Sequence, residues 1–513
     1  MKHLPILLVI TFLFFQCKDK GVDRDECTDD PSACGCSEAP AGCEVGEEPD
    51  TLKIRGKVFV SPSGSDSNDG SEGKPLKTIQ KAADAAGEDG LEIILRGGTY
   101  ASSEIRIRHS NIKIHSYPGE WAVIRAVTNV EDVASCLWFS EPGTGNFILE
   151  DLEIIGGYYY GIKFESNWDD DRSVPFDKRR GINNVTVRNC KIHDTGRDCI
   201  KITPGCKDIL IQNCEIYRSG VGPANVEAQN AEGIDNVNAD NMIVSGCYFH
   251  DIATNGMYAK GGARNCIMEN NLIINCGEFG MAAGFLDTDA EWFNRDTNPD
   301  YQESFDIIIR NNIVINAKWG GIGLFAAVGT KVYHNTFVNV GGETMAPLHI
   351  SAGETYTGSG APLAPPCRNL EIIDNIFTQP SDSDRPMICL RSMNDGTAPP
   401  LAGNNKVDYN IYYKTGNSPF YQNRQSDNLS RTSWQNATGF DAHSREAEPL
   451  LDNNFHLRAG SPALKGGTIS GMVARDYDGD ARGSTPDIGA DESGGKTLPI
   501  PPPAGTIGTG WKP

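Results

Sequence analysis

The sequence predicts an all-β fold, a parallel β-helix in which short strands wind into a solenoid, and three observations predict it. The first is a repeat. Leu149-x-x-Leu152-x-Ile154 returns as Val187-x-x-Cys190-x-Ile192, Ile211-x-x-Cys214-x-Ile216, Val244-x-x-Cys247-x-Phe249 and Met268-x-x-Asn271-x-Ile273, then as Ile309-x-x-Asn312-x-Val314, Val332-x-x-Asn335-x-Phe337 and Ile372-x-x-Asn375-x-Phe377. Neighbouring copies lie as little as about 24 residues apart, with inserts between others, and short alternating strands at such a period mean a solenoid. The second is another strand in each turn, seen in Tyr160-Gly161-Ile162-Lys163, Asp198-Cys199-Ile200-Lys201, Glu232-Gly233-Ile234-Asp235, Asn255-Gly256-Met257-Tyr258 and Phe279-Gly280-Met281-Ala282. Its third residue is always apolar and is expected inside, with the first and fourth facing out. The third is what lies between. Gly, Asn and β-branched residues separate the strands, where a leucine-rich repeat would carry a helix in each unit.

The Asn/Cys column at the fourth position of the first motif has a physical role in such a coil. Stacked about 4.8 Å from its neighbours, an Asn hydrogen-bonds along the column and a Cys packs as a small apolar body. Cys190, Cys214 and Cys247 are therefore expected to be buried thiols and not metal ligands.

The rest of the chain divides around this body. Lys2 and His3, a mostly apolar run from Leu4 to Phe15, then Gln16 and Cys17, read as a signal peptide over residues 1–17. Cys17 followed by Lys18-Asp19-Lys20 resembles a bacterial lipoprotein processing site, which implies a lipidated Cys17. Export is expected, either to the bacterial cell surface, with the membrane reached only through that lipid, or as a secreted protein. Residues 18–56 form an acidic tether in which Cys27, Cys34, Cys36 and Cys43 are expected to make a small disulfide knot. The coil is expected over 57–492 and an irregular Pro/Gly tail over 493–513. In the first part of the coil, Leu76, Ile79, Ala83 and Ala86 share one face of a predicted helix over 76–86, which would cap the N-terminal end of the solenoid. The 513 residues carry a net charge of −22, and no Lys/Arg block follows a phosphate backbone, so nucleic acid is excluded as a partner. A monomer is expected.

The N-terminal Val58-Phe59-Val60-Ser61-Pro62-Ser63-Gly64-Ser65-Asp66, the C-terminal Asp476-x-Asp478-Gly479-x-x-Arg482 and Pro486-Asp487-Ile488-Gly489-Ala490-Asp491-Glu492, and the turns between them resemble the right-handed parallel β-helix superfamily of bacterial polysaccharide lyases and their relatives, over residues 57–492. Asp198 on one turn with Glu232 and Asp235 on the next crowd three carboxylates into two stacked strands. Like charges about 5 Å apart suit a shared divalent cation with oxygen ligands. Lys260 leaves the next turn on the outward side of Tyr258. Positive charge from a neighbouring cation favours a neutral amine, the form a general base needs.

The Glu232-Gly233-Ile234-Asp235 strand, Asp198 before it and the lysine after it are similar to family 9 polysaccharide lyases. The resemblance implies Ca2+ held by Asp198, Glu232 and Asp235, with Lys260 as catalytic base. Where that family has two Asp residues before the Gly, this chain has Ala231 and Glu232, so a further ligand would come from Glu227 or Asn236. The implied reaction is β-elimination on an acidic, uronic-acid polysaccharide. Lys201, Arg264 and Tyr258 are candidate substrate contacts, and the first two are read equally as partners of nearby acids. Inserts over 165–180 and 286–304, carrying Trp168, Trp292, Phe293 and Tyr301, are expected to wall a cleft. Three other readings remain open: a hydrolase using Asp198 and Asp235, a uronate C5-epimerase with Tyr258 or His250 as a second acid, and a non-catalytic glycan-binding or adhesive β-helix.

Overall fold

The computed structural model describes residues 52–509, apart from 169–173, 359, 395, 417–419, 425–427 and 469–472, and without the side chains of 227 and 228. The predicted leader, Cys17, the four-cysteine cluster and the Glu227 side chain lie outside the described residues. Within them the chain winds through three long parallel sheets of twelve, eleven and twelve strands, each turn adding one strand to each sheet. This is a parallel β-helix, as expected from the repeat.

The register explains the two sequence motifs. In the eleven-stranded sheet Ile162, Ile200, Ile234, Met257, Met281 and Ile322 pair in succession. All six are buried in one continuous hydrophobic core. Each stacked aliphatic side chain removes apolar surface from water, worth roughly 1.5–3 kcal/mol when burial is complete.

The Asn column forms a hydrogen-bonded ladder inside the coil. Nδ2 of Asn271 donates to Oδ1 of Asn312 at 3.0 Å, Asn312 to Asn335 at 2.9 Å, Asn335 to Asn375 at 2.9 Å and Asn375 to Asn410 at 3.1 Å. Each of these Oδ1 atoms also accepts the backbone N–H of the Asn one turn before, and Oδ1 of Asn271 accepts the N–H of Cys247. Cys190, Cys214 and Cys247 extend the column as buried free thiols. The Asn side chains thus satisfy backbone groups at a buried corner, where an unpaired group costs about 1–3 kcal/mol.

The helix Ile79–Asp84 is shorter than predicted. Thr78 caps it by accepting from the Lys81 N–H, and Ile79, Ala82 and Ala83 are buried. Leu76, Ile79, Ala83 and Ala86 join the main core as the sequence pattern required. A further helix, Arg431–Thr438, buries Trp434, which stacks on Tyr421 of the final turn with ring centroids 5.6 Å apart.

Residues 493–509 form neither helix nor strand, and the C-terminal segment runs back along the outside of the third sheet. Tyr477, Ala490 and Ile500 cover the outward apolar side chains Leu272, Ile313 and Ile315, and the Thr509 N–H reaches the Gly246 carbonyl at 3.0 Å. The buried guanidinium of Arg482 donates to the carbonyls of Asp487, Gly489 and Ala490 and to Oδ1 of Asn311, fastening this segment to the coil. Apolar residues on the outside of a solenoid strand are thereby accounted for.

Asn335→Ala is expected to lower unfolding free energy by about 3 kcal/mol or more, because it strands the backbone groups of Asn312, Ile309 and Tyr333 at once. Chemical denaturation would show it; a loss under about 1 kcal/mol would mean that the ladder contributes little.

Candidate functional site

The site lies on the outward side of the eleven-stranded sheet. Along one rank of that face the register runs Arg106, Trp138, Lys163, Lys201, Asp235, Tyr258, Ala282, Gly323 and His349. Lys260 pairs with Val237, two residues further along its strand and on the same side as Tyr258. Asp198 and Glu232 stand just before their strands, at the bend. The three acids reach the site from consecutive turns.

Their geometry meets the expectation of convergence. Asp198, Glu232 and Asp235 each offer a carboxylate oxygen, and these atoms all lie within 4.8 Å of one another. All three residues are buried, and Asp235 lies on the outward rank of its strand. One oxygen of each is bonded: Oδ1 of Asp198 accepts the Glu232 N–H at 3.2 Å, Oε1 of Glu232 accepts from Thr254 at 2.9 Å and Asn255 at 3.2 Å, and Oδ2 of Asp235 accepts from the Lys201 ammonium. The other oxygen of each, and the Tyr258 hydroxyl, have no hydrogen-bond partner among the described residues.

Three unpartnered carboxylate oxygens in a buried cluster are an electrostatic liability. Burial, followed by the charges of Glu232 and Asp235, pushes the Asp198 carboxyl well above its usual range. Burial and then Asp235 raise Glu232 as well. Burial also acts upward on Asp235, yet the charges of Lys201 and Lys260 more than offset it and leave its pKa lowered. Two further acids face the same ammonium. Glu278, bonded to Asn255 at 2.7 Å, is pushed up to about 7 by burial and by Glu232. Glu303, which accepts from the Gly261 N–H at 2.9 Å and the Thr288 hydroxyl at 3.0 Å, is also raised by burial to about 7. Neither acid belongs to the repeated motifs, which is why sequence reasoning missed them; their one signal was position within two loops after Lys260.

The residues present fit a divalent cation. Hard oxygen donors, one free on each of three carboxylates, are what such an ion takes, and Asp198, Glu232 and Asp235 would hold it. Asn236 would not. Its side chain turns into the coil, where Nδ2 donates to the Ala239 carbonyl and Oδ1 accepts the Ala239 N–H.

The remaining candidates separate. Lys201 is the partner of Asp235, matching its reading as an ion pair. Arg264 stands away from the cluster, with its guanidinium 3.8 Å over the Phe305 ring and a bond to the Thr297 carbonyl. Tyr258 is fully buried beneath Lys260, whose Nζ lies 4.8 Å from its ring centroid, and beneath Phe285, stacked at 5.2 Å. As placed it touches the carboxylates and offers no open surface to a polymer, which corrects its reading as a substrate contact. His250 belongs to the other twelve-stranded sheet, stacked on Tyr217 and Tyr248. It cannot serve as an acid opposite Lys260.

A cleft of about 510 Å³ reaches the cluster at Asp235 and is lined also by Tyr160, Lys163, Trp168, Lys260 and Trp292, among others. Its wall joins both inserts, since the Trp168 indole N–H donates to the Glu291 carbonyl at 2.9 Å. Phe293 and Tyr301 pack on each other behind that wall and do not line the cleft.

A family model for the right-handed β-helix region matches residues 179–377. No curated protein sequence matches the chain. Among solved structures, that of XylC in complex with xylose shares 12% identity with a TM-score of 0.51, over 86% of this chain and 99% of its own. Pectate lyase Pel9A shares 15% identity over 86% and 97% of the two chains, with a TM-score of 0.45. PfbA, a surface adhesin of Streptococcus pneumoniae, shares 13% over 68% and 84%, with a TM-score of 0.42. The chain is a right-handed parallel β-helix protein, and at these identities the likeness speaks for fold alone.

The cluster gives a pH test. Asp198 and Glu232 bind protons more tightly in the folded chain than in the unfolded one, so the cation-free protein loses stability as pH rises above the unfolded carboxylate range of about 4. Asp198→Asn is expected to flatten that loss and to stabilise the chelator-treated protein at pH 7. Melting curves between pH 5 and pH 8 would decide it, and an unchanged slope would mean that the carboxylates are not thermodynamically coupled to folding.

Proposed function

We propose that this chain is a polysaccharide lyase that cleaves a uronic-acid polymer by cation-assisted β-elimination outside the cytoplasm, with Ca2+ as the cation. The observation that carries the reading is the convergence of three carboxylates, each with an oxygen unpartnered among the described residues, beside an aromatic-walled cleft that Asp235 and the Lys260 amine line. Asp198, Glu232 and Asp235 would hold the ion, while Lys201 keeps Asp235 charged and oriented. When bound, the cation supplies positive charge beside the uronate carboxylate and so favours the carbanion that develops at the neighbouring C5. Lys260 takes the C5 proton, the C5–H electron pair becomes the C4–C5 double bond, and the C4–oxygen bond breaks, its oxygen taking a proton from water. The Trp168 and Trp292 rings offer apolar faces to the sugars.

The spacing weighs against an inverting hydrolase. Its two carboxyl groups stand roughly 6.5–9.5 Å apart to admit a water, whereas the acids here approach within 4.8 Å. With His250 on another sheet, an epimerase lacks that acid facing Lys260. An adhesin would have no need for three buried acids with unpartnered oxygens. The leader and Cys17 support export with a lipid anchor.

Incubation with polygalacturonate, rhamnogalacturonan and alginate, read by the ultraviolet absorbance of unsaturated ends, tests the proposal. Activity is expected on at least one, lost on chelation and restored by calcium. Lys260→Ala should lower kcat by about 10² to 10⁴ with folding intact, as for loss of a general base, and Lys260→Arg should restore little, because guanidinium stays protonated. Near-normal turnover by Lys260→Ala would show that another group is the base.

A further inference from the structure

The outward rank that carries the cluster changes character along the coil. On the N-terminal side it carries cations, each held by an acid: Arg106 by Glu104 at 2.6 Å, Lys163 by Glu165 at 2.7 Å and Lys201 by Asp235. The side chains of Arg106, Lys163 and Lys201 are 43%, 21% and 17% exposed, whereas Asp235 is 1% exposed. Arg106 and Lys163 flank Trp138, 4.3 Å and 4.8 Å from its ring centroid. On the C-terminal side the rank is closed. Tyr258 and Ala282 are fully buried and His349 nearly so.

The closure is made of rings. Gly323, next after Ala282 in the rank, has no side chain, and a Cβ built there would stand 2.6 Å from Phe325 and 3.2 Å from Phe279. These rings therefore lie directly on the outer face of the strand. Phe285 joins them, 5.7 Å from Phe325 and stacked on Tyr258, and His349 packs against Phe325 at 5.6 Å. Phe279 and Phe325 are buried yet lie outside the coil's core, so their burial comes from one another and their neighbours on this outer face. Among the described residues, the groove over the cluster is thus open at one end and blocked at the other, one or two strands beyond Lys260. Strands stack about 4.8 Å apart, a distance of one or two sugar residues.

Resting on the lyase reading above, we infer that the site acts on the ends of an anionic polymer, which enters along the coil axis from the N-terminal side and releases short unsaturated fragments. The Lys163 ammonium, bonded to Glu165 at 2.7 Å, retains donors for a second carboxylate. Together with Arg106 and the Trp138 ring, it makes a row suited to an acidic chain. Beyond Lys260 the aromatic plug leaves space for the terminal piece only.

A time course on polygalacturonate, or on whichever of the three polymers gives unsaturated product, distinguishes the outcomes. Sizing by anion-exchange chromatography is expected to show unsaturated mono- or disaccharide from the first minutes while viscosity barely falls. Phe285→Ala, at the half-buried edge of the plug, should shift products toward longer fragments, and Phe325→Ala should do so further if it folds. Lys163→Ala should raise KM about tenfold while kcat changes less than about twofold, the pattern of lost uniform binding. A broad ladder of unsaturated oligomers with early viscosity loss, in the wild type, would overturn the chain-end inference and leave the lyase reading standing. No unsaturated product from any of the three polymers would overturn both.

Discussion

Parallel register between successive turns is the constraint on which the rest of the structure depends. One step of the coil converts a sequence separation of 34 residues, between Asp198 and Glu232, into a hydrogen bond of 3.2 Å. The same step pairs Lys201 with Asp235 and Asp235 with Tyr258. A side-chain period of two makes any one-residue slip exchange inside for outside. The internal Asn ladder resists such a slip, since each amide bonds both the next turn's side chain and backbone carbonyls that only the correct register presents. The stability of the corner and the placement of the acids therefore have one origin.

That origin also sets the cost of the site. Strands that stack apolar residues inside must stack something outside, and here three acids share a buried space with only part of their charge answered. Lys201 bonds one of them and Lys260 acts on Glu232 and Asp235 through its charge. Buried carboxylates lacking partners are expensive, and functional sites are where such expense persists. At two other places on the surface, neighbours answer comparable demands. The outward apolar residues of the third sheet are covered by the returning C-terminal segment, and the acidic Glu150 is bracketed by Lys113 and Arg188.

Much of this was legible in the sequence wherever a residue's role follows from its place in the repeat. The inward Ile200, Ile234 and Met257, the buried Cys column and the convergence of Asp198 with Glu232 and Asp235 all follow from stacking alone. What escaped depends on contacts that periodicity does not encode. Tyr258 faces outward as its position requires, but Phe285, from the loop after the next strand, buries it. Arg264 follows Lys260 by only four residues, yet the turn at Gly261 and Gly262, both with positive φ, carries it onto another small sheet. Asn236, two residues into its strand, points inward by the same alternation that points Asp235 outward. The composition of the tail after 493 does not show that Ile500, with Leu498 beside it, packs on the outward side chains Leu272, Ile313 and Ile315.

Whether the carboxylate cluster binds a divalent cation is read by calorimetric titration of calcium into the chelator-treated full chain. One ion per chain is expected, with binding abolished or weakened at least about a hundredfold in Asp235→Asn and in Glu232→Gln, since each removes one charged oxygen ligand. No binding heat accompanied by no calcium-dependent rise in Tm, or an affinity that both variants leave unchanged, would contradict the account.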